Sequence, residues 1–221
     1  GIPVPEALGG AGADTGSMAL ALEEIAKVCG STCLTLAAHT SLGTMPIVLF
    51  GSETLKQRYV PPNARGETIG AYGLTESGAG SDSSATQTTA TPAPGGWKLN
   101  GSKLFMTNAG VCSVMTVTAV TDRDAEKHAR ISAFVVDPKW KGVSILKKED
   151  KLGCRGSDTC AVSFEDVFVP EDHLLGRRGE GWAYFMEILD AGRIGLGAMA
   201  LGLAEGAFEK ALSYSQERKA F

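Results

Sequence analysis

The residues best suited to chemistry lie in the stretch "AYGLTESGAGSD", Ala71 to Asp82. Ala71, Tyr72 and Leu74 read as a half-buried strand. The chain then breaks into Thr75, Glu76, Ser77, Gly78, Ala79, Gly80, Ser81 and Asp82. Such small residues leave backbone N–H groups unhindered and add hydroxyls. A nest of this kind can hold a phosphate or the polar edge of a heterocycle. The alternative is a Gly/Ser turn with Asp82 capping its own backbone, and the stretch alone fits that turn. Other candidates carry less. "GGAGADTG", beginning at Gly9, lacks the G-K-[ST] ending of a phosphate loop, and no strand precedes it. His39, His128 and His173 have no partner at suggestive spacing and read as structural or exposed. Cys29 and Cys33 could share a helix face, but zinc would need two further ligands and only His39 is within reach. No metal site is expected.

Composition narrows the class. The 221 residues suffice for one large domain or parts of several, and 43% hydrophobic content is ordinary for a globular interior. The net charge is −4, with Lys and Arg scattered, which argues against a nucleic-acid surface. No apolar run reaches the roughly 18 residues that a membrane span needs, so none is expected. The five cysteines are odd in number and fit no disulfide framework; they read as free thiols, with a reducing compartment as a weak corollary. Both ends look cut, since Gly1-Ile2-Pro3 has no initiator Met and Arg218–Phe221 stops within a helical pattern.

The elements that must position the stretch follow from periodicity. A Gly/Pro-rich entry gives way to a helix capped by Asp14 or Thr15, with Met18, Leu22, Ile25 and Val28 on one face. A second helix is predicted near residues 32–50 with Ser31 as cap, and a third capped by Ser52 and stopped by Pro61 and Pro62. From about residue 69 to 170 the chain reads as strands and turns. Asn100-Gly101 has the chemistry of a hairpin turn between two of them, and the spacing suggests an antiparallel meander or barrel. After Gly179 an apolar stripe, Ile194, Ala198, Leu201, Ala204, Phe208 and Leu212, predicts a long helix. Ala198, Gly202 and Gly206, four apart, suggest close approach of another helix. The fold class is therefore α+β: an N-terminal helical part (1–67), a middle antiparallel, barrel-like β domain (68–177), and the start of a C-terminal helical bundle (178–221).

Four segments in order resemble the acyl-CoA dehydrogenase family, especially its short-chain and butyryl-type members. They are "GLTESGAGSD", "NGSKLFMTNAG", "KEDKLGCRGSDTCAVSFEDVFVP" and the run from "GEGWAYFMEILDAGR" to the end. The resemblance covers essentially the whole chain. It implies FAD bound between the middle and C-terminal domains, oxidation of an acyl-CoA to the trans-2-enoyl-CoA, and delivery of electrons to an electron-transferring flavoprotein. Tyr72, Gly73, Leu74 and Thr75 would then lie along the flavin, with backbone amides and the Thr75 hydroxyl at its polar edge. Ser81 matches a residue where flavin and CoA thioester meet. Phe105-Met106-Thr107 matches a segment whose aromatic ring packs beside the isoalloxazine and whose Thr bonds it; Phe keeps the stacking face that Trp offers in many members but lacks the indole N–H. Asp190 and Arg193 match a substrate-contacting segment. Arg218 matches an Arg that reaches the FAD pyrophosphate, usually of the neighbouring subunit, where its planar fork suits phosphate. Each has a plainer reading: Tyr72, Leu74 and Phe105 as core, Asp190–Arg193 as a surface pair, Arg218 as a solvated side chain.

The implied reaction needs a carboxylate to remove the α-proton, donors to the thioester carbonyl, and a flavin to accept hydride from the β-carbon. In most members the base is a Glu far along the C-terminal domain. A minority place it immediately before the helical Arg, which here is Gly192. No catalytic base is therefore expected in this chain; it would lie beyond Phe221. The same resemblance implies a homotetramer when full length, located in the cytoplasm of a bacterium or the mitochondrial matrix of a eukaryote. The competing readings are an acyl-CoA oxidase-like flavoprotein and a non-catalytic binding protein on the same fold. The 221-residue chain alone is expected to form no enoyl-CoA with an artificial acceptor and to hold FAD weakly; substantial turnover would refute the placement of the base.

Overall fold

The computed structural model describes residues 1–221. Helix α1, Thr15–Val28, begins at Asp14, whose carboxylate accepts the Ser17 N–H at 2.8 Å. Gly30 to Phe50 is one helical run in three parts: α2 (Gly30–Ala37), a π-helical segment (Ala38–Thr44) and α3 (Met45–Phe50). Ser31 is thus inside α2 rather than its cap, and its hydroxyl accepts the Gly156 N–H. Helix α4, Glu53–Ala64, is capped by Ser52 as its sequence predicts. Pro61 and Pro62 lie in its last turn and do not stop it. Their fixed φ is already helical, and so near the C-terminus only two N–H donors are lost.

The π segment has local and long-range supports. Its widened turn frees carbonyls, which the Ser41 hydroxyl (to Ala37) and the Thr44 hydroxyl (to His39) engage at 2.6 and 2.9 Å. Pro46, which has no N–H, follows one residue after it. The segment is also pressed against the sheet: a Cβ on Gly43 would sit 2.3 Å from the Gly70 carbonyl carbon. His39 fastens the same junction. The Gly70 N–H donates to its Nδ1 (3.1 Å), so its Nε2 carries the proton and donates to the Asn63 carbonyl (3.0 Å). Burial pushes this imidazole below its usual pKa and keeps it neutral. At 21 residues and mean hydropathy 1.5, Gly30–Phe50 does reach the length of a membrane span, contrary to the reading of the sequence. It packs inside the protein, with Cys33, Ala37, His39 and Ile47 buried.

The strands are β1 (Gly70–Gly73), β2 (Thr89–Ala93), β3 (Gly96–Thr107), β4 (Val114–Val120), β5 (Ile131–Val136), β6 (Val143–Lys148), β7 (Thr159–Pro170) and β8 (Leu174–Leu175). They form one sheet in the order β6-β7-β3-β2-β4-β5-β8, with β1 beside β4. The sheet does not close into a barrel, and it is not a meander: β1 and β2 each run parallel to β4. Asn100-Gly101 is not a hairpin turn. It lies mid-strand in β3 at a register shift against β7. Gly101 has φ +142°, and a Cβ there would strike Thr88 at 2.6 Å, so glycine is required by the residue that leads into β2. The Asn100 side chain instead pairs with Asp166 on β7.

Helix α5, Gly181–Glu217, crosses the sheet and then α1. Ala198 packs into the small core under α1. At Gly202 a Cβ would lie 2.1 Å from the Glu23 carbonyl oxygen, and at Gly206 2.3 Å from that of Lys27. The predicted close helix approach is therefore present. It accounts for glycines that each cost the helix roughly 1 kcal/mol relative to Ala. Gly202→Ala is expected to lower stability by about 1–3 kcal/mol through overpacking despite the better helix propensity. A rise in the chemical-denaturation midpoint would contradict the contact.

Candidate functional site

Strand β1 ends at Gly73, and the chain continues alongside Lys103 and Leu104 of β3. There β3 carries a bulge: Lys103 pairs with Val162 and Met106 with Cys160, so Leu104 and Phe105 together oppose Ala161. Leu104 N–H donates to the Thr75 carbonyl at 2.8 Å and ties the bulge to the β1 exit. Between these walls, the π segment and α5 lies a cleft of about 190 Å3. Its lining includes Ala38, Leu42, Tyr72, Leu74, Thr75, Phe105, Thr107 and Leu189. A second cleft of about 270 Å3 adjoins it and shares Ala38, Leu42, Thr107 and Leu189; Leu34, Ser41, Gly192, Arg193 and Leu196 also contribute to its lining. No Asp or Glu lines either cleft.

Phe105 is the unusual residue here. Its φ is +54°, left-handed for a bulky side chain, and it is 62% exposed. Left-handed geometry costs an L-residue about 1–2 kcal/mol, which exposure on this scale does not recover by burial. Such outliers persist only where the surrounding structure holds them, and they cluster at active sites and ligand clamps. The Thr75 and Thr107 hydroxyls form no hydrogen bond within the chain, and neither does the Thr75 N–H. The cleft thus offers apolar walls, one exposed aromatic ring and unpaired donors, which suit a flat molecule with a polar rim.

The other candidates are placed differently. Tyr72 lines the cleft, but its ring stacks on Phe185 (4.1 Å) and its hydroxyl donates to the Phe185 carbonyl (3.0 Å). Burial pushes that phenol's pKa far up. Gly73 and Met106 face inward: a Cβ on Gly73 would meet Val117 and the Met106 sulfur. The glycine-rich turn is not part of the cleft. Glu76 and Ala79 exchange backbone hydrogen bonds, and open space surrounds Gly78 and Gly80. Ser81 is exposed beside Asp82, which pairs with Lys127 and Ser84. Arg193 reaches the second cleft while pairing with Asp190 on the outer side of α5. That pair is about 70% exposed on each side and contributes little. Arg218 sits past the end of α5 against Tyr214.

Beneath the cleft lies a group that sequence reasoning missed. Lys103 has no exposed surface, and its ammonium contacts Glu76 Oε1 (2.7 Å), the Thr86 and Thr118 hydroxyls (3.0 Å each) and the Leu74 carbonyl (3.2 Å). Glu76 also accepts from the Thr86 hydroxyl and from the Gln87 and Thr88 N–H groups. Burial opposes the ionisation of Glu76, but the Lys103 charge and these donors outweigh it and hold its pKa down at about 2. Burial draws Lys103 down to about 8 against the pull of Glu76. Both are charged at neutral pH. A lysine and a glutamate near a strand-to-turn boundary were the available signal, since neither can be buried singly. The cleft residues from the π segment, Ala38 and Leu42, gave no signal beyond Ser41, Gly43 and Thr44 interrupting an apolar run.

Fold and cleft define the class: an α+β protein whose sheet and flanking helices enclose paired apolar clefts. Three domain models match the chain: acyl-CoA dehydrogenase N-terminal domain over residues 1–67, middle domain over 71–167 and C-terminal domain over 179–221. The chain belongs to the acyl-CoA dehydrogenase family. It is 49% identical over 221 residues to the short-chain specific acyl-CoA dehydrogenase of Clostridium acetobutylicum, and spans 58% of that protein's length. A chain in the solved structure of the electron transferring flavoprotein of Acidaminococcus fermentans superposes with TM-score 0.98 at 47% identity, over 100% of this chain and 58% of that one. An acyl-CoA dehydrogenase complexed with FAD from Bacillus anthracis gives TM-score 0.92 at 40% identity, over 99% of this chain and 37% of that one.

Phe105→Gly is expected to leave thermal stability unchanged or raised. Relief of about 1–2 kcal/mol of left-handed strain offsets the roughly 0.5–1 kcal/mol of extra chain entropy. A fall in melting temperature beyond about 4 °C, the upper scale of 1 kcal/mol in a chain of this length, would mean that Phe105 is a packing residue.

Proposed function

We propose that this chain is part of an FAD-dependent acyl-CoA dehydrogenase, which converts an acyl-CoA thioester to the trans-2-enoyl-CoA and passes the electrons to an electron-transferring flavoprotein. The observation that carries the reading is Phe105: strained, exposed and set on the wall of a cleft whose Thr75 and Thr107 hydroxyls lack partners. The flavin ring suits this cleft, with Phe105 and Leu74 against its face and Thr75 and Thr107 at its polar rim. When bound, FAD supplies the acceptor for the hydride that leaves the β-carbon.

The chain's own residues bind, orient and exclude water. Leu34, Leu42, Leu189 and Leu196 wall the adjoining cleft, which suits an acyl chain reaching toward the flavin cleft. Its 270 Å3 is small, in keeping with a short acyl group. Arg193 at its margin offers a cation to the polar part of the thioester ligand. With no carboxylate lining either cleft, the base for the α-proton is proposed to come from residues outside this chain. Ser81 and Arg218, away from the cleft, are proposed to meet the CoA portion and the FAD of a neighbouring subunit.

The full-length protein is expected to show flavin absorbance, and to form the enoyl product from butyryl-CoA with an artificial electron acceptor. A colourless protein that takes up no added FAD would overturn the reading.

A further inference from the structure

The Lys103–Glu76 pair lies directly behind the wall that the proposed flavin would meet. Its ammonium end contacts the Leu74 carbonyl at 3.2 Å. Its carboxylate end is turned to the start of β2, where it accepts from the Gln87 and Thr88 N–H groups. The pair is therefore oriented, with positive charge toward the cleft strand and negative charge away from it. Leu74 C=O and Thr75 N–H belong to one peptide group. A cation bonded to the carbonyl draws electron density through that group and makes its N–H a stronger donor, most effectively where water is excluded. The Thr75 N–H has no acceptor within the chain. Lys103 is also the residue just before the bulge that carries Leu104 and Phe105. One side chain thus anchors both cleft walls.

Resting on the flavin reading above, we infer that Lys103 is a positioning residue for the flavin: it fixes the Leu74–Thr75 peptide against the β3 bulge and polarises the Thr75 N–H toward the ring's polar rim. Reduction adds negative charge to the ring system, so a polarised donor at the rim favours the reduced form. The bound flavin then has a higher midpoint potential than it would over a neutral network. No other ionisable side chain contacts Lys103; its remaining partners are the Thr86 and Thr118 hydroxyls and a backbone carbonyl.

The test uses the full-length holoprotein with FAD as the probe. Lys103→Met alone leaves Glu76 buried without its partner and endangers folding. The double variant Glu76→Gln/Lys103→Met removes both charges together, a change that buried ion pairs frequently tolerate. Thr118→Val serves as a structural control, since it loosens the same network but keeps the Lys103 contact with Leu74. The expected result is a more negative flavin midpoint potential and weaker FAD binding in the double variant, with the potential unmoved in Thr118→Val. A double variant that melts near the wild-type temperature and keeps the wild-type potential would overturn the inference. So would equal shifts of potential in the double variant and the control. Failure of the underlying flavin reading shows separately, in a wild-type protein that binds no FAD, and the inference falls with it.

Discussion

A lysine without solvent contact stays charged only where a carboxylate and further acceptors replace its water, and here that requirement gathers four segments of chain. Lys103 on β3 reaches Glu76 in the turn after β1, Thr86 before β2, Thr118 on β4 and the Leu74 carbonyl. Losing one partner of such a pair costs about 3–5 kcal/mol. An exposed pair such as Asp190–Arg193 is worth under about 1 kcal/mol. The buried pair therefore sets the geometry of the cleft walls, and the surface pairs adjust it little.

The other wall depends on a backbone-to-backbone contact. Gly43 and Gly70 approach too closely for either to carry a Cβ, and His39 bonds across the same junction through Nδ1 to the Gly70 N–H while its Nε2 holds the Asn63 carbonyl of α4. A regular α-helix through Gly30–Phe50 would rotate the residues after Ala37 out of their present register. The π turn keeps Ala38 and Leu42 on the cleft while Gly43 meets the strand. On the far side, α5 contributes Leu189 and Leu196 to the clefts, and lower down lays Gly202 and Gly206 on α1. Three elements of different kinds thus converge on one apolar space.

That convergence gives the family assignment physical content. Three successive domain models run along the chain, and the residues at their meeting place are apolar, partly strained and supplied with unpaired donors. Of the flavin residues implied by the family pattern, Tyr72, Leu74, Thr75, Phe105 and Thr107 share one cleft. Gly73 and Met106 support it from the core side, while Ser81 and Arg218 stand apart from it. The glycine-rich turn that first drew attention is closed upon itself. Its contribution comes through Glu76, whose side chain is buried beneath the cleft.

The sequence by itself determined the order of helices, strands and helices, the Asp14 and Ser52 caps, the close helix contact at Gly202 and the motifs of the family. All of these are local patterns of period, turn chemistry or small-residue spacing, and they need no knowledge of distant neighbours. Tertiary structure decided the rest. Asn100-Gly101 became a mid-strand bulge because Thr88 packs against Gly101. Pro61 and Pro62 stayed within a helix because they fall in its last turn. The apolar run Gly30–Phe50 widened into a π turn because a strand backbone presses on it. Phe105 took a left-handed conformation because β3 bulges between two registers fixed by β7. The bulge at Gly101, the π turn and the Phe105 conformation depend on contacts between residues far apart in the chain, which periodicity and composition do not encode, whereas the prolines turned on where their helix ends.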